Sequence, residues 1–122
     1  YKVISPVTSA LAVMDTEVTA THKTKDFVAV GGPCVNRITA AALNLTFPAC
    51  GAASTVPSGA AMIKIVDDYP AVGLQTVVVA GWEKANTRTA CTVLQQYDTL
   101  LAGQNASAVK VTSATVAGIT AL

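Results

Sequence analysis

The sequence predicts a small three-layer α/β domain over residues 1–122, with parallel central strands, crossover helices and amphipathic edge strands from the N- and C-terminal segments. Two apolar runs, 27–30 and 77–80, each end at a glycine and each precede a helical pattern. Apolar strands that alternate with helices are typical of a parallel sheet covered on both faces. A length of 122 residues suits one domain.

The composition is unusually poor in charge. Charged residues make up 12% of the chain, about half of the share in a typical soluble domain, and the formal net charge is +1. This balance argues against nucleic acid as a partner, and no apolar run reaches the roughly 20 residues of a membrane span. The chain has one histidine and few carboxylates. We therefore expect that it is not an enzyme, that it binds no cofactor, metal or nucleic acid, and that it does not insert into a membrane.

The N-terminal part of the chain predicts strands. Residues 1–5 are β-prone and stop at Pro6, and residues 10–14 predict a second strand. Residues 27–30 predict a buried strand that ends in the tight turn 31–33, after a polar loop.

The middle of the chain predicts two helices joined by a loop of small residues. The first runs from Cys34 to Leu43, begins after Pro33 and is followed by the loop 44–58. The second begins near 58 and stops before Pro70. The apolar positions expected to face inward are Val35, Ile38, Ala41 and Ala42 in the first helix and Met62, Ile63, Ile65 and Val66 in the second.

The C-terminal part predicts a strand, a long helix and a half-exposed tail. Residues 74–80 form the clearest buried strand, and a helix follows over 83–102 with Gly103 as its C-cap. The tail 108–122 begins with alternating polarity, which predicts an edge strand. The inward positions of the long helix are Ala85, Ala90, Val93, Leu94, Tyr97 and Leu101.

The glycine turn 31–33 lies where phosphate-binding loops lie in nucleotide-binding proteins. It lacks both the dinucleotide pattern and the lysine of a P-loop, and Pro33 removes one backbone N–H donor. A tight turn is therefore the better interpretation, and a small nucleotide-binding protein is a minor alternative.

A candidate edge for a ligand or a partner follows the second apolar strand. It contains Trp82, Asn86 and Arg88, with Asn36 expected from the facing glycine turn. Open α/β sheets bind ligands at the carboxyl ends of their strands. The alternative is structural, with Arg88 paired to a carboxylate and Trp82 covering the edge of the sheet.

Other polar residues predict structural roles. His22 is expected to be a solvated loop residue, because no nucleophile motif accompanies it. Asp67 and Asp68 predict a solvated helix end, since neighbours in sequence point apart on a helix. Asp15 and Glu17 are expected to cap or to pair.

The cysteines and two sequons bear on the compartment. Cys34 and Cys50 suit either a disulfide or two buried thiols, and Cys91 predicts a small buried thiol. Asn44 and Asn105 each begin an N-glycosylation sequon, although sequons also arise by chance.

Three separated segments carry a family resemblance. Residues 11–18 read Leu-Ala-Val-Met-Asp-Thr-Glu-Val, residues 27–36 contain Val-Gly-Gly-Pro-Cys-Val-Asn, and residues 77–88 contain Val-Val-Ala-Gly and end in Asn-Thr-Arg. Their order resembles a domain of archaeal surface-layer proteins over residues 7–112. The cell-wall-binding type 2 repeats are distantly similar. Asn86 stands where that family usually has an acidic residue.

The resemblance implies an extracellular, non-enzymatic, self-assembling subunit of a cell-surface layer or filament, often glycosylated, with copies of itself as partners. The Cys34–Cys50 pairing also resembles that of the family. The β-prone terminal segments 1–9 and 113–122 are candidates for subunit contacts, because an exposed edge strand can pair with another copy. A cell-wall or glycan-binding module that uses Trp82, Asn86, Arg88 and Asn36 is the alternative.

Overall fold

The computed structural model describes residues 12–122, which form a mixed five-stranded sheet with helices. The strands in chain order are β1 (Phe27–Val30), β2 (Ala61–Asp67), β3 (Gln75–Gly81), β4 (Ala108–Val111) and β5 (Ile119–Ala121). The α-helices are α1 (Arg37–Ala42), α2 (Lys84–Gln95) and α3 (Tyr97–Leu100), and short 3₁₀ turns occupy Asp15–Glu17, His22–Thr24, Gly51–Ser54 and Val116–Gly118. The predicted small α/β domain is confirmed.

The sheet has the order β1-β3-β2-β4-β5. β1 and β3 are parallel, with Val28 opposite Val77, so the two predicted apolar strands do form a parallel pair. However, β1 lies at an edge of the sheet rather than at its centre, and the other pairings between described strands are antiparallel. The expected parallel centre is therefore corrected to a mixed sheet centred on β2.

The predicted helix before Pro70 is wrong, because β2 occupies this region. Periodicity cannot separate a short apolar strand from a buried helical turn. Here β3 and β4 pair with β2 on both sides, and Met62 and Ile63 are buried in different apolar clusters. A strand between two partners places alternate side chains in the clusters on both faces of the sheet, which a helix at this position would not do.

Apolar clusters lie on the two faces of the sheet. On one face, Ala90 and Val93 of α2 pack with residues of the four strands β2–β5, including Val79. On the other face, Ala42 of α1 packs with Val78 and its neighbours. Val78 and Val79 are both fully buried although they point to opposite faces, and each contributes about 1.5–3 kcal/mol by burial.

The first helix is shorter than predicted and buries a different face. Asn36 is its N-cap, so Val35 precedes the helix and is 73% exposed. Ala41 is also exposed, whereas Thr39 is buried because its hydroxyl donates to the Gly31 carbonyl at 2.8 Å. A hydroxyl with a partner of this kind can take an interior position that polarity alone would not predict. The inward residues are Thr39, Ala40 and Ala42.

The predicted helix over 83–102 is divided in two. α2 ends at Gln95, and the short helix α3 follows with its C-cap at Leu101 rather than at Gly103. Ala90 and Val93 are buried as expected, and Leu94 and Leu101 are half-buried. Ala85 and Tyr97 are exposed instead of inward.

The structure describes the whole C-terminal segment but describes the N-terminal segment only from residue 12. Residues 12–14 precede a 3₁₀ turn and form no strand, while the rest of the predicted strand 10–14 and the segment 1–9 lie outside the described residues. A C-terminal strand with alternating burial is confirmed, since Val109 and Val111 are buried and alternate with half-buried Lys110. Its expected edge position is wrong for β4, which has β2 and β5 on its two sides and leaves the edge to β5. β5 then pairs with β4 within the same sheet.

Candidate functional site

The candidate site lies where β1 and β3 end side by side. Because the two strands are parallel, the glycine turn after β1 and the start of the helix after β3 lie side by side at the carboxyl ends of these strands. The Gly31 N–H donates to the Val79 carbonyl at 2.9 Å. A Cβ on Gly32 would lie 3.4 Å from the Gly81 carbonyl oxygen. The turn therefore brings two backbones together, and the Gly31 N–H is already used within the sheet.

Asn36 holds the glycine turn against α1. Its Oδ1 accepts hydrogen bonds from the N–H groups of Ile38 and Thr39 at 2.9 and 3.2 Å. Its Nδ2 donates to the Val30 carbonyl at 2.9 Å. This one amide therefore caps the helix and ties it to the end of β1.

The acidic residues of the first motif both accept hydrogen bonds from backbone N–H groups, one of them at the start of α1. Asp15 Oδ2 accepts a hydrogen bond from the Arg37 N–H at 2.8 Å, at the first residue of α1. Glu17 Oε1 accepts from the Met14 N–H at 3.0 Å. Their predicted roles as capping residues are thus confirmed.

Gly81 is required by the close approach of α2. A Cβ at this position would collide with the Thr87 nitrogen and would lie 2.7 Å from the Glu83 carbonyl oxygen. The Gly81 N–H also donates to Thr87 Oγ1 at 3.0 Å. The third motif therefore locks the end of β3 to the start of α2.

Asn86 and Trp82 connect this junction to the loop before β2. Asn86 Oδ1 accepts from the Glu83 N–H at 2.9 Å, and its Nδ2 donates to the Gly59 carbonyl at 3.4 Å. The Trp82 N–H donates to the Ala60 carbonyl at 2.9 Å, while its side chain is partly exposed. Sequence reasoning did not foresee this use of the loop before β2.

The four residues of the predicted contact edge thus divide into two kinds. Asn36 and Asn86 have their amide groups bonded to the backbone. Trp82 and Arg88 are exposed and available to a partner. A ligand at this edge stays a prediction, and it would have to rely on the indole and the guanidinium.

The Cys34–Cys50 disulfide, predicted from the resemblance, is present, with the two Cα atoms 4.6 Å apart. It ties the glycine turn to the segment after α1, and the Ala49 N–H donates to the Pro33 carbonyl beside it at 3.1 Å. The guanidinium carbon of Arg37 lies 4.4 Å from the centre of the Phe47 ring, which adds a cation–π contact to the same segment.

The third cysteine and the two sequon asparagines lie apart from the junction. Cys91 is half-buried in α2, and burial raises the pKa of its thiol. Asn44 and Asn105 are exposed. Asn44 also has a left-handed backbone (φ +57°), and the hydrogen bonds around it close α1 as a Schellman motif. An asparagine just after a helix was the available signal for this second role.

An acidic cleft of about 400 Å³ lies at the opposite end of β1 and β3. The predicted helix end at Asp67 and Asp68 is wrong, because Asp67 ends β2 and Asp68 begins the turn to β3. Asp26 and Asp67 both bond to Gln75, through its N–H and its side chain, and Asp68 accepts from the Gly73 N–H. These carboxylates shape the hairpin.

No group of histidine, cysteine and carboxylate residues within 12–122 has an arrangement that could hold a metal ion. His22 accepts a hydrogen bond from the Thr19 N–H at 2.9 Å, which is a local turn contact. Among the described helices, none is long and apolar enough to cross a bilayer.

Comparison with known proteins identifies the family. Searches of curated proteins and of solved structures gave no match. Residues 2–98 match the model of the S-layer like family, outer domain, and this match covers most of the chain. It includes all three motif segments that meet at the ends of β1 and β3. The chain therefore belongs to the S-layer like family, as an outer domain, and is a structural protein of the cell surface.

Proposed function

We propose that this domain is a self-assembling, non-enzymatic subunit of an archaeal cell-surface layer or filament, in which copies of the chain are the partners. In this role it acts as a small three-layer unit, with α1 and α2 covering opposite faces of the sheet. Family membership supports the surface role. We also propose that the domain is distantly similar to the cell-wall-binding type 2 repeats.

The observation that carries the proposal is the use made of the family motifs. Asp15, Asn36 and Asn86 direct their polar atoms at backbone groups of the same chain. A binding site for a small polar ligand would keep such groups for the ligand. The motifs thus support a rigid building block, and contacts with other copies fall to its surface.

The surface suits contact between like molecules. Few charged groups lie on it, so packing two copies together desolvates few ions. Both edges of the described sheet, β1 and β5, consist of uncharged residues. Uncharged edge strands favour pairing with another chain.

Glycans at Asn44 and Asn105 are part of the proposal, because both side chains are exposed. Intact mass spectrometry of the native protein is expected to give a mass above that of its polypeptide by whole sugar units. Substituting Asn44→Gln and Asn105→Gln separately should remove one glycan each. A native mass equal to that of the polypeptide would exclude glycosylation.

Electron microscopy of the purified native protein at neutral pH tests self-assembly directly. Ordered sheets or filaments are the expected result, and their form decides between a lattice and a filament. Dispersed small particles over a range of protein and salt concentrations would contradict self-assembly. That result would favour a glycan-binding module centred on Trp82 and Arg88.

A further inference from the structure

We propose that residues 1–5 of a second copy add a strand to the outer edge of β1. The inference rests on the proposed self-assembly and identifies the surface that links one copy to the next. It combines an edge strand, a groove beside that strand with apolar and polar lining residues, and a segment of suitable sequence that precedes the groove in the chain.

β1 is an edge strand of the described sheet, and its own residues include no charge and no proline to deter pairing. It ends the strand order, and within residues 12–122 no strand pairs with its outer side. Its sequence, Phe-Val-Ala-Val, contains no charge and no proline. Natural edge strands are commonly protected by such residues, because unpaired backbone groups recruit other strands.

An apolar surface, here called the β1 patch, extends from this edge. Val28 and Val30 share the sheet face of Val77 and Val79, which is the face that α2 covers further along the sheet. Both valines remain exposed at the edge. The β1 patch consists of Val13, Met14, Val28, Val30 and Val35, all exposed. Four of them, all but Val28, line a groove of about 170 Å³ together with Asp15 and Asn36. A contiguous exposed surface of this kind indicates an interaction site.

The N-terminal segment of the chain has the properties of an occupant. It leads to Val13, which lines the groove. Residues 1–5, Tyr-Lys-Val-Ile-Ser, are β-prone and precede Pro6. As a strand they would measure about 17 Å, against about 13 Å for β1. Alternation would place Tyr1 and Val3 on one face, where they could cover the valines of the β1 patch.

Charge is also complementary between the two surfaces. Asp15 is the one charged residue that lines the groove, and Lys2 is the one charged side chain within residues 1–5. The rest of the contact would be apolar or uncharged. Opposite charges at an otherwise uncharged contact fix its register more than they add affinity.

A second copy is the proposed occupant because self-assembly needs a contact between copies, and here donor and acceptor are different surfaces of the chain. Such a head-to-tail contact gives a closed ring or an open filament, and the open form is the extended assembly of the proposed function. The C-terminal tail is a poorer donor, because β4 and β5 already pair within their own sheet. The stretch 6–11 can reach about 20 Å when fully extended.

The acceptor is tested with a matched pair of variants. Val28→Lys places a charge on the acceptor edge, and Val116→Lys places the same charge beside β5; these valines are 61% and 63% exposed. Val28→Lys should raise the protein concentration needed for half-assembly roughly tenfold or more. Val116→Lys should leave it unchanged. Melting temperatures equal to that of the wild type would show that both variants fold.

The donor is tested by mixing two variants that cannot assemble alone. A variant lacking residues 1–11 keeps the acceptor, and Val28→Lys keeps the donor. Each should be a monomer by analytical ultracentrifugation, and an equimolar mixture should yield a one-to-one heterodimer. Circular dichroism and an intact disulfide would show that the shortened chain folds.

Three outcomes would overturn the inference. Absence of the heterodimer would show that residues 1–5 of one copy do not pair with β1 of another copy. Assembly by the shortened chain alone would identify another occupant. Loss of assembly in Val116→Lys with normal assembly in Val28→Lys would move the contact to β5. Failure of the wild-type protein to assemble would instead contradict the proposed function itself.

Discussion

At the residue scale, single atoms determine how the ends of β1 and β3 join. Asn36 uses both ends of its amide, and Asp15 supplies an acceptor to α1 from a segment distant in sequence. Gly81 contributes by having no side chain, since α2 begins directly against it. Small polar residues and glycine therefore hold together the junction at the ends of β1 and β3.

Gly81→Ala is expected to destabilise the domain. The added methyl group meets the Thr87 nitrogen and the Glu83 carbonyl, which are backbone atoms that cannot rotate away. Overpacking of this kind costs about 1–3 kcal/mol. Urea denaturation should show the loss, whereas Gly103→Ala is the control because nothing lies within 4 Å of its added methyl. Equal midpoints for the two variants would refute the close approach.

Cys91 should react slowly in the folded protein. Burial raises the pKa of its thiol, so less of it is the reactive thiolate at pH 8 than in a free cysteine. The neutral thiol is the form that folding favours, so its contribution to stability is present at neutral pH and lost as pH rises above the ordinary thiol range. Iodoacetamide labelling of folded and urea-unfolded protein checks this. Folded-state labelling should accelerate as pH rises, and equal rates at pH 8 would contradict it.

At the element scale, local pattern and pairing compete to decide what a segment becomes. β2 and α1 both combine small and β-branched residues, yet one is a strand and the other a short helix. α1 is held by the Asn36 cap and by the disulfide beside it. β2 is held by partners on both sides.

Removing the disulfide should test how α1 and its flanking segments are held. A Cys34→Ser, Cys50→Ser double variant is expected to lose about 3 kcal/mol, because the open chain regains loop entropy. Thermal unfolding of this variant beside Cys91→Ala measures the difference. Under denaturing conditions, the native protein should take up one alkyl group before reduction and three after it. Three groups without reduction would exclude the bridge.

At the scale of the whole molecule, the two edges of the described sheet differ in how far they are covered. The β5 end completes the core, because Ile119 is buried among residues of β4 and α2. The β1 end leaves valines exposed beside the groove. One end thus closes the fold and the other is open to a neighbour.

Deleting residues 113–122 should therefore destabilise the domain. The deletion removes Ile119 from the core and exposes the β4 edge, at a cost of at least about 1.5–3 kcal/mol. Deleting residues 1–11, which leaves the described sheet whole, is the comparison. Similar denaturation midpoints for both shortened chains would contradict this view of the β5 end.

The sequence by itself determined much of this protein. Apolar composition and glycine boundaries predicted β1 and β3, and alternating polarity predicted β4. The three motifs indicated the S-layer family, and the family resemblance indicated the Cys34–Cys50 bridge. These features can be predicted because each depends on residues close together in sequence or on a family resemblance that implies the distant contact.

Only the tertiary structure decided the rest. The segment Ala61–Asp67 is compatible with a helix until β3 and β4 lie beside it, and the edge position of β1 depends on the order of the whole sheet. The motif asparagines look like ligand-binding groups until the backbone atoms they bond to come within reach. For the strand pairings and for the contact of Asn86 with Gly59 the deciding partner is remote in sequence, so its effect appears only when the chain has folded.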